Sequence, residues 1–336
     1  MDTENNTNED FYRPKTFLLI GIPGLEMAEF WMSIPMCIMY VLTVLGNSAM
    51  LLIIMPQETF HKPMYLFLCL LSIIDLVASA TTTPKILCIF WFNDKEIAFD
   101  ACLAQLFFIH SLSMMESTIL LAMAFDRYVA ICHPLRYTSI LSNSTIVKIA
   151  ILAMIRGSLF MAPAPFLIRR LSYCRTNIIA HTYCEHMAVV KIACTDTTIN
   201  KVYGLTVALL VIAVDIICIT VSYSAIVWAV FRLSSKEARH KAMGTCAPHI
   251  CVILISYVPA LFSFFTHRFG HNIPLHIHII LANLYILIPP MFNPMIYGAR
   301  TKEIRRRIIT VFTHTHVFSH TFALWVILLT NPCCYA

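Results

Sequence analysis

Long runs of apolar residues alternate with short polar segments along this chain. The runs cover about Phe30–Ile54, Met64–Pro84, Cys102–Ile131, Thr145–Ile168, Val202–Phe231, Met243–Thr266 and Leu275–Tyr297. About 20 apolar residues in a helix cross a hydrocarbon core of about 30 Å. Inside that core backbone amides must bond within their own segment, so each run reads as a helix. The pattern predicts an all-α membrane protein, a seven-transmembrane helix bundle. Pro163-Ala164-Pro165 predicts a kink near the end of the fourth span. After the seventh, Thr301–Phe312 reads as a short amphipathic eighth helix along the inner leaflet, with Arg305, Arg306 and Arg307 near anionic headgroups. The expected division is an N-terminal tail over 1–28, the membrane domain over 29–299, and the eighth helix with a C-terminal tail over 300–336.

Composition supports the membrane reading: 59% of the residues are hydrophobic and 12% charged, against about 25% charged in a soluble domain. The net charge is +6, from 24 Lys+Arg and 18 Asp+Glu. The basic residues do not form a nucleic-acid surface. Lys62, Arg127, Arg136, Lys148, Arg232, Lys236, Arg239, Lys241 and Arg300 lie in or beside short loops that fall on one side of the bundle. That bias puts them in the cytosol and the N-terminus outside, as in a multi-pass plasma-membrane protein. Arg169, Arg170 and Arg175 run against the bias, in a long loop late in the chain. The acidic start, Met1 to Asp10, lacks the basic and apolar regions of a cleavable signal peptide. It carries the sequon Asn5-Asn6-Thr7, so Asn5 is expected to be glycosylated. The sequon at Asn143 falls on the inner side and should be silent. Phe322–Leu329 is apolar but too short to cross, and Cys333 and Cys334 are candidates for palmitoylation.

Polar residues inside the runs carry the candidate chemistry. Asn47, Asp75, His110, Glu116 and Arg156 all sit at membrane depth, where they need partners. Asp75 and Glu116 must share a proton or a cation. Asp126 beside Arg127 is an acid–arginine pair at the inner end of the third run. Cys102, Cys174, Cys184 and Cys194 all face outward, where oxidation is permitted, and allow three pairings. With 8 glycines the chain has no phosphate-cradling loop and no nucleophile elbow. His276 and His278, or His314, His316 and His320, lack the cysteine or carboxylate frame of a structural zinc site. The residues do not point to an enzyme.

Met123-Ala-Phe-Asp126-Arg127-Tyr128-Val-Ala-Ile-Cys-His-Pro-Leu-Arg-Tyr137 resembles the signature of olfactory receptors, a branch of the rhodopsin-like G-protein-coupled receptors. Asn293-Pro294-Met295-Ile296-Tyr297 is similar to the Asn-Pro-x-x-Tyr motif of that superfamily, and Lys241 to His249 to the olfactory signature opening the sixth span. Pro248 departs from that signature, which usually has Ser there. Tyr257-Val258-Pro259 stands where most rhodopsin-like receptors keep a tryptophan and a proline, a replacement typical of olfactory receptors.

The resemblance implies disulfides Cys102–Cys184 and Cys174–Cys194, the first pinning the outer loop as a lid. It implies a sodium site at Asp75 and Glu116 with Asn47 and Asn293 nearby, and no other cofactor. G-protein coupling would fall to Asp126, Arg127, Tyr128, Tyr223 and Tyr297, with Tyr223 swinging toward Arg127 on activation. Pro294 loosens its helix turn. The ligand cavity is expected between His110, His186 and Arg268, with Leu261, Phe262 and Phe264 as apolar wall. The turn His267-Arg268-Phe269-Gly270 and the long lid resemble class I receptors, a branch associated with small carboxylic acids. Arginine suits a carboxylate because its donors are fixed and bidentate. The implied partners are a small odorant and a stimulatory, cyclase-coupled heterotrimeric G protein. Two alternatives remain: a rhodopsin-like receptor for a non-odorant metabolite, and an ion-coupled transporter using Asp75 and Glu116. The second predicts an inverted repeat, and the two halves show none.

Overall fold

The computed structural model describes residues 13–56, 62–174, 176–232, 234–269, 273–301 and 303–307, with backbone alone at 267–269 and 300. In chain order come β1 (Thr16–Leu19), α1 (Glu29–Ile54), α2 (Pro63–Phe92), β2 (Glu96–Ala98) and α3 (Phe99–Cys132). A 3-10 turn over Pro134–Arg136 leads to the short α4 (Tyr137–Ile140). There follow α5 (Asn143–Met161), α6 (Pro163–Arg169), β3 (Ile178–Ile179), α7 (His186–Lys191), α8 (Thr198–Phe231), α9 (Lys236–Phe269) and α10 (Leu275–Arg300). The seven spans are α1, α2, α3, α5 with α6, α8, α9 and α10. The fourth breaks at Ala162, and Pro163 starts α6 where its missing N–H costs nothing.

The second span runs past its predicted end. Pro84 lies inside α2, which continues to Phe92 and stops at Asn93 in the left-handed region, φ 54°. Hydroxyls stitch the preceding turn: Ser79, Thr81 and Thr82 donate to the carbonyls of Leu76, Val77 and Ala78. From α3, Gln105 Nε2 donates to the Thr81 carbonyl at 3.0 Å. Most of the oxygens near the proline thus keep partners, which is what hydrocarbon demands, and Thr83 Oγ1 is the buried exception.

The outer face holds a small sheet that the apolar pattern does not predict. Its order is β2-β1-β3, with β1 antiparallel to β2 and parallel to β3. Phe17 and Leu19 are fully buried, and the Phe17 ring lies 5.3 Å from Phe99 and 5.2 Å from Tyr173. Within the expected N-terminal tail, residues 16–22 thus pack on the outer face. The turn after β1 needs a glycine: Gly21 has φ 81°, and a Cβ there would lie 2.1 Å from Glu29 Oε1. That carboxylate accepts from the Ile22 N–H at 2.7 Å.

Two apolar clusters fill the bundle. The outer one includes Phe17, Ile86, Leu106, Tyr173 and Cys184. The inner one includes Ile54, Phe67, Leu120, Met123 and Tyr297. Asp75 falls between them along α2. Residues 303–307 are helical, with Ile304 buried in the inner cluster and Arg305, Arg306 and Arg307 exposed. The two-sided character expected of the eighth helix is present there. The rest of that stretch, Asn5, Cys333 and Cys334 lie outside the described residues.

Candidate functional site

A cavity of 240 Å³ lies under the outer loop, walled by α3, α5 with α6, α8, α9 and α10. Its roof is the loop segment Tyr183 to Met187. Both disulfides implied by the resemblance are present, Cys102–Cys184 and Cys174–Cys194. The loop is also bonded into the bundle: the Cys184 N–H donates to Gln105 Oε1 at 2.9 Å, and Thr182 Oγ1 donates to Asn283 Oδ1 at 2.7 Å. Thr182, Cys184 and Asn283 are fully buried. The lid is seated in this state, not raised above the mouth.

His110 and His186 both line the cavity, as do Leu261 and Phe264. Phe262 does not. It is 50% exposed on the outside of α9, because one step along a helix turns the side chain away from its neighbour's face. Position 268 lies at the outer end of α9, and the Arg268 side chain is outside the described residues. Among the described lining residues the charged ones are acids: Glu116, Glu185 and Asp215. Glu185 caps α7 by accepting from the Ala188 N–H at 2.7 Å.

The floor contains an ion pair that the sequence reading missed. Asp215 is fully buried in α8 and accepts from Arg156 Nη2 of α5 at 2.8 Å. Ser117 Oγ donates to the other carboxylate oxygen at 2.8 Å, and Tyr257 Oη to the same oxygen at 3.4 Å. Arg156 Nη1 donates to Thr118 Oγ1 at 2.8 Å. Spans three, four, five and six thus converge on one carboxylate. The signal was available: an acid inside the most apolar span, mean hydropathy 2.6, requires a cation at its own depth. Arg156 was noted without its partner.

Nearby, Asn293 Nδ2 donates to Asp75 Oδ2 at 3.0 Å, and Ser256 Oγ donates to Glu116 Oε1 at 3.2 Å. Asn47 Nδ2 donates to the Thr43 and Pro290 carbonyls at 3.0 and 2.9 Å, tying α1 to α10. The Oδ1 atoms of Asn47, Asp75 and Asn293 have no hydrogen-bond partner. Three such oxygens are a donor set that suits a hard cation.

At the inner end, Arg127 Nη2 lies 3.2 Å from Asp126 Oδ2. Tyr137 Oη, from α4, donates to Asp126 Oδ1 at 2.6 Å. Burial, and then the Asp126 charge, hold the Tyr137 phenol well above its ordinary pKa, so it stays a donor. Tyr223 reaches His249 Nδ1 at 2.7 Å rather than Arg127. Tyr128 pairs with His133 Nε2 at 3.1 Å. Tyr297 is buried with its hydroxyl unpartnered. Pro259 lies within α9 beyond Tyr257, and Pro294 within α10 beyond Asn293.

Seven spans, a roofed outer cavity and an acid–arginine pair at the inner end define a G-protein-coupled receptor. The crystal structure of squid rhodopsin has the same fold, with TM-score 0.70 at 17% identity over 85% of this chain and 81% of that one. The olfactory receptor family model matches residues 36–315, and the chain belongs to that family. It is 59% identical to human olfactory receptor 52P1 over 93% of this chain and 96% of that protein. It is 55% identical to human olfactory receptor 52D1, over 89% and 95%. Against rat olfactory receptor 51E2 it is 53% identical, over 88% and 93%. These relatives place it in the class I branch, as a multi-pass plasma-membrane odorant receptor and not an enzyme.

Proposed function

We propose that this olfactory receptor senses small carboxylic acids and signals through a stimulatory G protein to adenylyl cyclase. The observation that carries the reading is the roofed cavity, where His110 and His186 sit among apolar walls below the outer end of α9. At 240 Å³ it falls below the usual range of drug-sized sites, about 300–1,000 Å³. A small acid fits, with its carboxylate at Arg268, its tail against Leu261 and Phe264, and the histidines as hydrogen-bond partners. The Arg156 guanidinium is engaged by Asp215, so it is not the acceptor of ligand charge. Engagement at Arg268 favours states in which the outer end of α9 tilts inward and its inner end outward. Tyr223 then leaves His249 and Arg127 is released to a G-protein helix.

The test is the cAMP response of surface-confirmed receptor to a panel of short- and medium-chain fatty acids. Arg268→Ala should raise the effective concentration about 10- to 150-fold, the loss of roughly 1.5–3 kcal/mol of charge-assisted bonding. Equal responses remove Arg268 from the site. The acids lining the cavity favour a second reading, a protonated amine held at Glu116, and amines in the same panel discriminate it.

Sodium belongs to the same proposal. Asp75, Glu116, Asn47 and Asn293 would hold it, and it would supply a positive charge that steadies the resting bundle. Replacing external sodium with N-methylglucamine should then raise agonist potency in the wild type and not in Asp75→Asn. The same potency in both salts would dismiss the ion.

A further inference from the structure

We propose that the cavity is built for a hydroxylated ligand, whose hydroxyl sits on the third carbon of the chain, counted from the charged end, and bonds to Ser113 and Tyr285. The proposal rests on the reading above only in taking the ligand to be a small amphiphile with one charged end.

The walls of the cavity differ in kind. From α8 come Val207, Ala208, Val211 and Ile212, and from α9 Ala260 and Leu261. From α3 comes a polar row, His110, Ser113, Glu116 and Ser117. Its spacing of three and four residues keeps those side chains on one helix face. The lower half of the row is engaged within the protein. Ser117 Oγ donates to Asp215 Oδ2 at 2.8 Å, and Glu116 Oε1 accepts from Ser256 Oγ at 3.2 Å. The upper half keeps bonding capacity. His110 Nε2 is buried with no hydrogen-bond partner. Ser113 Oγ and Tyr285 Oη meet at 2.5 Å, and both residues line the cavity. One bond between two hydroxyls uses one proton, so the pair keeps a second proton to donate and lone pairs to accept with. Polar groups unmet in an apolar cavity cost free energy, which a polar atom on the ligand recovers.

The spacing selects the position of that atom. At about 1.5 Å per residue, Ser113 lies about 4.5 Å along α3 from His110 above it and from Glu116 below it. A carboxylate held at the level of His110 therefore brings a hydroxyl on its third carbon to Ser113. An ammonium held at Glu116 does the same from the other side. The discrimination is modest, because Ser113 and Tyr285 satisfy each other when the ligand has no hydroxyl. One net hydrogen bond favours the hydroxylated ligand about 3- to 10-fold. A wholly apolar wall gives the opposite sign, since burying an unmet hydroxyl lowers affinity.

Two matched pairs test this by cAMP response on surface-confirmed, full-length receptor. The first is hexanoic acid against 3-hydroxyhexanoic acid, the second hexan-1-amine against 1-aminohexan-3-ol. In the wild type the hydroxylated member of a responding pair should act at about 3- to 10-fold lower concentration. Ser113→Ala with Tyr285→Phe removes both hydroxyls and should abolish that ratio while the plain member still activates. Ser113→Cys with Tyr285→Phe keeps the volume and gives the same reading where the alanine form does not reach the surface. A wild-type ratio of one or less overturns the proposal. So does a ratio that survives the double variant, because the hydroxyl is then met elsewhere. Response to the amine pair alone counts against the acid reading, and that pair then decides the proposal by its own ratio. Silence of both pairs overturns the proposal, since neither anchor then brings a chain past Ser113.

Discussion

Asp215 shows what a single side chain must satisfy in this environment. A charge desolvated in the bundle costs several kcal/mol unless it is paired and hydrogen-bonded. Arg156, Ser117 and Tyr257 supply those partners. Asp215→Leu strands the Arg156 guanidinium and should cost about 3–5 kcal/mol, seen as lost surface protein and a lower melting temperature. Adding Arg156→Leu should recover most of the loss. A double variant no better than the single one would mean the pair does not act as a unit. Gly157 makes a different demand. A Cβ there would lie 2.6 Å from the Ser111 carbonyl and 3.0 Å from Met115 Cγ. Small residues let membrane helices approach closely. Gly157→Ala should therefore push α5 from α3 and lower the melting temperature, whereas Gly244→Ala meets nothing within 4 Å and should not. Among such residues, Asn47, Asp75, Glu116 and Asn293 were legible because each is polar in an apolar run. Gln105, Thr182 and Asn283 were not, since their bonds depend on where a distant loop lands.

Proline shows how little one residue type decides at the level of an element. Pro163 separates α5 from α6, Pro84 leaves α2 unbroken, and Pro248 lies inside α9. The helices were legible from length and polarity, while their ends were not. The end of α2 depends on hydroxyls and on Gln105 from another helix, which no local pattern contains. Pro248 removes the bond that would return to the Gly244 carbonyl, four residues earlier. Gly244 is exposed, and glycine itself weakens a helix interior. The inner end of α9 therefore carries two adjacent weak points beside the Tyr223–His249 contact that holds it. Pro248→Ala should stabilise that segment by roughly 3 kcal/mol at most. Ligand-independent cAMP, normalised to surface receptor, should fall with it. Unchanged basal signal would show that Pro248 has no part in setting the resting equilibrium.

At the scale of the whole molecule, the spans alone do not account for the outer face. The membrane bundle was legible because hydrocarbon imposes one rule on every span. The sheet was not, because β1 and β3 are four and two residues long and are defined only by their pairing. Alternation along β1 then decides which side chains matter. Phe17 and Leu19 point inward and are fully buried, while Thr16 and Leu18 point the other way. Phe17 packs on Phe99 at the start of α3 and on Tyr173 early in the outer loop, so one ring joins the N-terminal strand, a span and that loop. Phe17→Ala should cost about 3–5 kcal/mol, the range for a large core aromatic. Leu18→Ala should cost far less. If the strand only decorates the bundle, the two variants will melt together. If it holds the roof down, Phe17→Ala will melt lower than Leu18→Ala.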